Sequence, residues 1–191
     1  MLNNKMRELV LTMLKQNLPP NYFFHDQQHT LYVLADAERI GKVEEVSDRE
    51  MDLLQAAALW HDVGYIKTYK GHEYESCLLA QKYLPDFGFN EQEIKKICGM
   101  IMATMIPQDP HNKLEEILAD ADLAYLGRNE ATELAHLLFL ELQSLNPQLT
   151  ETEWNNTQVS FLETHQYFTP YCKTKFGPPK EAYLAKQQNI F

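Results

Sequence analysis

Cysteine is scarce and irregularly placed. Cys77, Cys98 and Cys172 are the three in 191 residues, their number is odd, and no C-x-x-C spacing occurs. That pattern excludes a disulfide framework and a thiolate zinc site, and reduced intracellular thiols are the expectation. Seven glycines and nine prolines are too few for a loop-rich β protein, and no strong run of alternating polarity appears. Basic residues are in deficit: 17 Lys and Arg face 27 Asp and Glu, for a formal charge of −10. Such a balance argues against a broad nucleic-acid-binding surface, but not against a small phosphorylated ligand that needs only a local positive centre. No apolar run approaches the roughly 20 residues of a membrane span. Lys5, Arg7 and Lys15 interrupt the N-terminal apolar positions, unlike a signal peptide. A cytoplasmic protein without membrane contact is expected, and its oligomeric state is open.

What is present is core material. Hydrophobic residues make up 45% and charged residues 23% of the chain, a balance that folds rather than staying disordered. The length suits one domain over 1–191. Helical spacing of Met6, Leu9, Val10, Met13 and Leu14 predicts a helix over 3–17, stopped by Leu18-Pro19-Pro20. A second helix is expected from about Asp26 to Ile40, closed by Gly41. Ser47-Asp48-Arg49-Glu50 is a capping-box pattern that opens a helix from about 48 to 62, with Gly64 as its C-terminal stop. Further helices are expected at about 72–84, 91–105, from 113 onward, 130–144 and 151–167, with a short last one after Pro178-Pro179. In the 130–144 helix, Leu134, Leu137, Leu138 and Leu142 are expected to point inward. The fold class is all-α, an orthogonal helical bundle.

The stretch Ala56-Ala57-Ala58-Leu59-Trp60-His61-Asp62-Val63-Gly64 is apolar and ends in His-Asp. A carboxylate buried without a partner is strongly disfavoured, and a metal ion would remove that cost by taking an imidazole nitrogen and a carboxylate oxygen together. His29 and Asp122 lie on other predicted helices and complete a candidate set of two imidazoles and two carboxylates. Mixed nitrogen and oxygen ligands suit a divalent Mn, Fe, Co, Ni or Zn ion, Mg less well, and are too nitrogen-rich for Ca. Water on such an ion has its pKa lowered from about 15.7 towards 7.

The order His29, His61-Asp62, Asp122 resembles the HD-domain superfamily of metal-dependent phosphohydrolases. Ala57-Ala58-Leu59-Trp60-His61-Asp62-Val63-Gly64 is similar to that family's central motif, and Ile117-Leu118-Ala119-Asp120-Ala121-Asp122-Leu123 to its last. The likeness spans about residues 22–128 and leaves 129–191 as C-terminal helices. It implies a helical bundle of the HD type and hydrolysis of a phosphomonoester or phosphodiester, most simply of a small nucleotide. By the same resemblance Asp122 rather than Asp120 is the ligand, and Asp120 is a supporting or capping carboxylate. Asp62 serves as ligand and as a participant in catalysis.

His25-Asp26-Gln27-Gln28-His29 is similar to the His-x-x-x-His run of cyclic-nucleotide phosphodiesterases, in which the first His protonates the leaving alkoxide. His25 is the corresponding candidate acid. His72 stands where dinuclear members carry a further ligand, and is a candidate for a second metal. A later His of those members is replaced by the run Met102-Ala103-Thr104-Met105, so one tight ion is expected. Lys67, Lys70 and Arg128 follow the motifs closely and are candidates to orient a substrate phosphate, with a solvated surface role as the alternative. Tyr22-Phe23-Phe24 is expected to pack in the core, with the lining of a nucleobase pocket as the alternative. His111 is expected to be incidental, and His136 and His165 structural. Two competing functions are a sensor module that binds metal or nucleotide without turnover, and a di-iron oxygenase, which would need more His ligands.

Overall fold

A computed structural model describes residues 3–189. Ten α-helices and three short 3-10 turns make up the regular structure of that span, with no strand among the described residues. The helices are α1 Asn4–Asn17, α2 Gln27–Val43, α3 Asp48–Trp60, α4 His72–Tyr83 and α5 Glu91–Met102. They continue with α6 Lys113–Asp122, α7 Ala131–Leu145, α8 Glu151–Thr164, α9 Pro170–Lys175 and α10 Gly177–Gln188.

Local chemistry sets most of the starts. Ser47 and Glu50, Asn90 and Glu93, and Thr150 and Glu153 form reciprocal capping boxes at α3, α5 and α8. Each satisfies two N–H groups that the first turn leaves without intrahelical partners, and such a cap is worth about 1 kcal/mol. Asp26 accepts from the backbone N–H of Gln28 and His29 and so caps α2.

Helix α3 is the hub. From Leu53 to Trp60 every residue is buried, and α2, α5 and α6 pack around it. Met6, Val10 and Leu14 of α1 bury one stripe against the same core. A smaller apolar cluster gathers Leu123, Leu126, Ala131, Ala135, Leu162 and Tyr183 in the C-terminal part.

Two glycines are packing residues rather than helix stops. Gly41 lies inside α2, where a Cβ would come within 2.9 Å of Met51 and 3.0 Å of Leu54. Its bare Cα allows close approach to α3. Gly64 sits in the 3-10 turn Val63–Ile66 that follows the His-Asp pair. There a Cβ would come within 1.9 Å of the His72 carbonyl oxygen, so the turn lies directly on the start of α4.

Helix α7 also departs from expectation. Its buried face carries Ala131, Ala135, Phe139 and Glu141. Leu137 is exposed, and Leu134, Leu138 and Leu142 are only half-buried. Those four leucines face two clefts instead of the core, Leu134 and Leu137 one and Leu138 and Leu142 the other. No described helix is long and apolar enough to cross a membrane.

Candidate metal centre

Three helix ends meet at the site. His29 lies in the first turn of α2, His61 and Asp62 follow the C-terminus of α3, and Asp122 is the last residue of α6. All three helices belong to the main packing unit, so the side chains are carried by rigid elements. His29, His61 and Asp122 each place one ligand atom within 4.8 Å of the others. The Nε2 of His29 lies 3.1 Å from Asp122 Oδ1, 3.4 Å from His61 Nε2 and 3.3 Å from Asp62 Oδ2. His61 Nε2 lies 3.1 Å from Asp62 Oδ2 and 3.6 Å from Asp122 Oδ1.

These separations suit a shared cation. Two atoms about 2.1 Å from one ion stand roughly 3.0 Å apart at a right angle and roughly 3.4 Å apart at the tetrahedral angle. The imidazole of His61 is oriented for the purpose. Its Nδ1 donates to the Ala58 carbonyl at 2.8 Å, so the neutral ring turns an unprotonated Nε2 towards the centre. Asp62 Oδ2 is buried and accepts no hydrogen bond, an unbalanced state for a carboxylate oxygen that a cation would correct.

The electrostatics agree. Burial alone would lower the His29 pKa, but the hydrogen bond to Asp122 and the negative charge of Asp62 and Asp122 outweigh it and push it up to about 9. The His61 pKa is raised well above its ordinary value by the same carboxylates, against burial. Burial opposes the charged form of Asp62, yet His61, His29 and His72 hold its pKa well below the usual range. The cluster has more negative charge than neutral imidazoles can balance, and a divalent cation is a fitting complement.

His72 approaches the other oxygen of the same carboxylate. Its Nε2 is 3.3 Å from Asp62 Oδ1, and its ring stacks on Tyr65 at 3.7 Å between centroids. Asp62 thus stands between the centre and His72, as a bridging carboxylate would. Thr104, in the segment where a further His was sought, donates its hydroxyl to the Ile101 carbonyl at 2.8 Å.

His25 precedes the cap of α2 and does not join the cluster. Its Nδ1 is 2.5 Å from Glu141 Oε1, and its Nε2 is 3.3 Å from the Tyr65 hydroxyl. Glu141 Oε2 also accepts from the backbone N–H groups of Phe24 and His25. Burial would raise the Glu141 pKa, but these bonds and the charge of His25 hold it below the usual range. Sequence reasoning missed Glu141. A lone acid within Leu137-Leu138-Phe139-Leu140-Glu141-Leu142 was the available signal, since a charge in an apolar run is seldom buried without a partner.

The cations do not gather at the site. Lys67 and Lys70 are exposed and line neither cleft beside it. Those are the positions that the solvated surface alternative describes. Arg128 does line the smaller cleft, next to His29 and Asp122. Its guanidinium is already bound to the buried carboxylate of Asp36, which Arg39 also contacts.

Asp120 faces away from the centre. It accepts from Phe168 N, Thr169 N and Thr169 Oγ1 at 2.7–2.8 Å, the supporting role expected of it. Of the aromatic trio, Phe24 is buried and Tyr22 packs on Tyr65 and Tyr69, whereas Phe23 is exposed at the rim of the smaller cleft. His111 is exposed in its loop and His136 is exposed on α7, while His165 is buried.

A cavity of about 450 Å³ opens beside the centre. Asp62, His72, His25 and Asp122 form one wall, and Leu138, Leu142, Trp154 and Phe161 of α7 and α8 face them. The size is within the range that encloses a small organic molecule.

A family model described as HD domain matches residues 27–126. In three dimensions the chain is similar to the crystal structure of a predicted HD superfamily hydrolase from an uncultured Thermotogales bacterium. The TM-score is 0.65 at 18% identity, over 96% of this chain and 90% of that one, a likeness of fold. No curated protein sequence matches the chain.

Proposed function

The chain belongs to the HD-domain family, and on that premise we propose that it is a metal-dependent phosphohydrolase that cleaves a phosphomonoester or phosphodiester, with a small nucleotide as the first substrate class. The observation that carries this reading is the convergence of His29, His61, Asp62 and Asp122, with Asp62 Oδ2 buried and without a hydrogen-bond donor. A divalent ion held by those four side chains would polarise a phosphoryl oxygen and acidify water.

The protein's own groups supply the rest. Ala58 fixes the tautomer of His61, and burial just past the end of α3 fixes its position. His72 holds the outer oxygen of Asp62. In its protonated form the His25 ring has an N–H at both nitrogens: Nδ1–H is bound by Glu141, and Nε2–H faces the cavity beside Tyr65. That proton is placed for delivery to the leaving oxygen of a bound ester. Glu141 acts as a positioning residue, because it holds the ring and the adjoining backbone through three hydrogen bonds.

The test is metal content and hydrolysis, measured together on a Mn-supplemented nucleotide panel. His61→Ala and Asp62→Ala should lose bound metal and reduce turnover by about a thousandfold or more. Asp109→Asn, at an exposed carboxylate outside the centre, is the folded control. Full hydrolysis by metal-free His61→Ala protein would overturn the reading.

A further inference from the structure

The large cavity beside the centre has a composition that its charged wall does not account for. No Lys or Arg lines it among the described residues, whereas Asp62, Glu73 and Asp122 do. The facing wall is Leu138, Leu142, Trp154 and Phe161, half-buried side chains with apolar area turned to the cavity. A polyphosphate entering here would set each additional negative charge among carboxylates, with one cation site to answer it. The neighbouring cleft offers little relief, since Arg128 there is already paired with Asp36. An aromatic or apolar group, by contrast, would remove apolar area from water on both sides of the contact. Gln158 also lines the cavity; it uses its Oε1 to accept from Tyr183 at 3.2 Å, which leaves its amide –NH₂ as a donor to a polar edge of such a group.

We infer that this cavity selects an organic monophosphate whose alcohol part is bulky and largely aromatic or apolar, and that it discriminates against di- and triphosphates. The specificity-determining residues are Leu138, Leu142, Trp154 and Phe161. The inference rests on the phosphohydrolase reading for turnover, but the selectivity belongs to the cavity and is readable by binding alone.

The experiment uses the full chain loaded with Mn. It compares 1-naphthyl phosphate with glycerol 1-phosphate, and adenosine 5′-monophosphate with the triphosphate. The aromatic ester should exceed the glycerol ester in kcat/KM by about tenfold or more, from the ring area buried. The monophosphate should exceed the triphosphate by about tenfold or more, from the unanswered charge. Leu142→Lys, at a half-buried position where the ammonium can reach solvent, should narrow the second gap.

A separate readout is quenching of Trp154 fluorescence by 1-naphthyl phosphate. Trp60 is fully buried and supplies a constant background, and Trp154→Phe should abolish the signal. Hydrolysis without these preferences, or with the triphosphate favoured, overturns the inference and leaves the phosphohydrolase reading intact. Selective binding without hydrolysis of any ester does the reverse. Absence of both binding preference and hydrolysis removes the two together.

Discussion

The two walls of the cavity are built in different ways. On one side Asp62 is 5% exposed and backed by the fully buried His61, just past the end of the helix that is the hub of the larger core. On the other side Leu138, Leu142, Trp154 and Phe161 come from α7 and α8, which pack about the smaller cluster and stay half-open. The charged wall is over-determined: tautomer, orientation and neighbours are each fixed by a partner. The four side chains of the apolar wall are themselves placed by packing. Side chains that must keep atomic positions within tenths of an ångström sit where cavities and shifts are costly. Side chains that have only to exclude water sit where replacement is cheap. Chemistry is thereby separated from selectivity, and the second can change without disturbing the first.

The sharpest way to break that contrast is at the joint between the regions. Asp120→Ala leaves the N–H groups of Phe168 and Thr169 and the Thr169 hydroxyl unpaired in a buried site. A loss of about 3–5 kcal/mol is expected, seen as a lower denaturant midpoint. A loss under about 1 kcal/mol would mean that the C-terminal segment is held elsewhere.

Next comes the charged contact by which Glu141 reaches from α7 to His25. His25→Ala should lower kcat by about a hundredfold or more with little change in metal content. Glu141→Gln should lower it less, and should also move the pH profile of kcat, which a purely structural role would not do. Equal loss of metal in both variants would place His25 within the ligand set instead.

His165 tests the C-terminal region by itself. Burial, with repulsion from Lys180, lowers its pKa from 6.5 to about 4, and neither ring nitrogen has a hydrogen-bond partner. The unfolded chain therefore binds this proton more readily than the folded one. The stabilisation is complete above about pH 6.5 and is lost as pH falls towards 4. The difference is on the order of 3 kcal/mol. Unfolding of the wild type and His165→Phe at pH 7 and 4.5 should show the variant less sensitive to acid. The smallest effect is expected at the exposed lysines: Lys67→Ala and Lys70→Ala should change kcat/KM by less than about twofold.

The same contrast explains what could be read in advance. The helices and capping boxes follow from local preferences, so they were legible, and the four converging side chains were legible because they lie in three compact motifs. Gly41 and Gly64 were read as stops because a glycine that admits a neighbouring backbone looks the same in sequence as one that ends a helix. The leucines of α7 were recognisably one face, but periodicity does not say whether a face meets protein or a cavity. Glu141 could not be paired with His25 from sequence, as 116 residues separate them. Lys67 and Lys70 left two readings open, because closeness along the chain does not say whether a side chain is also close in space.

The contact at Gly64 has a further result. Because hydrogen is all that projects from its Cα, the turn after Asp62 and the first carbonyl of α4 meet backbone to backbone, with Ser76 Oγ accepting from the Gly64 N–H and donating to the His61 carbonyl. There is no pliable group in between to absorb a displacement. The reach of His72 to Asp62 is therefore gauged by hard atomic radii, like a shim ground to thickness. Even an alanine at position 64 would lever α4 outward and part the two.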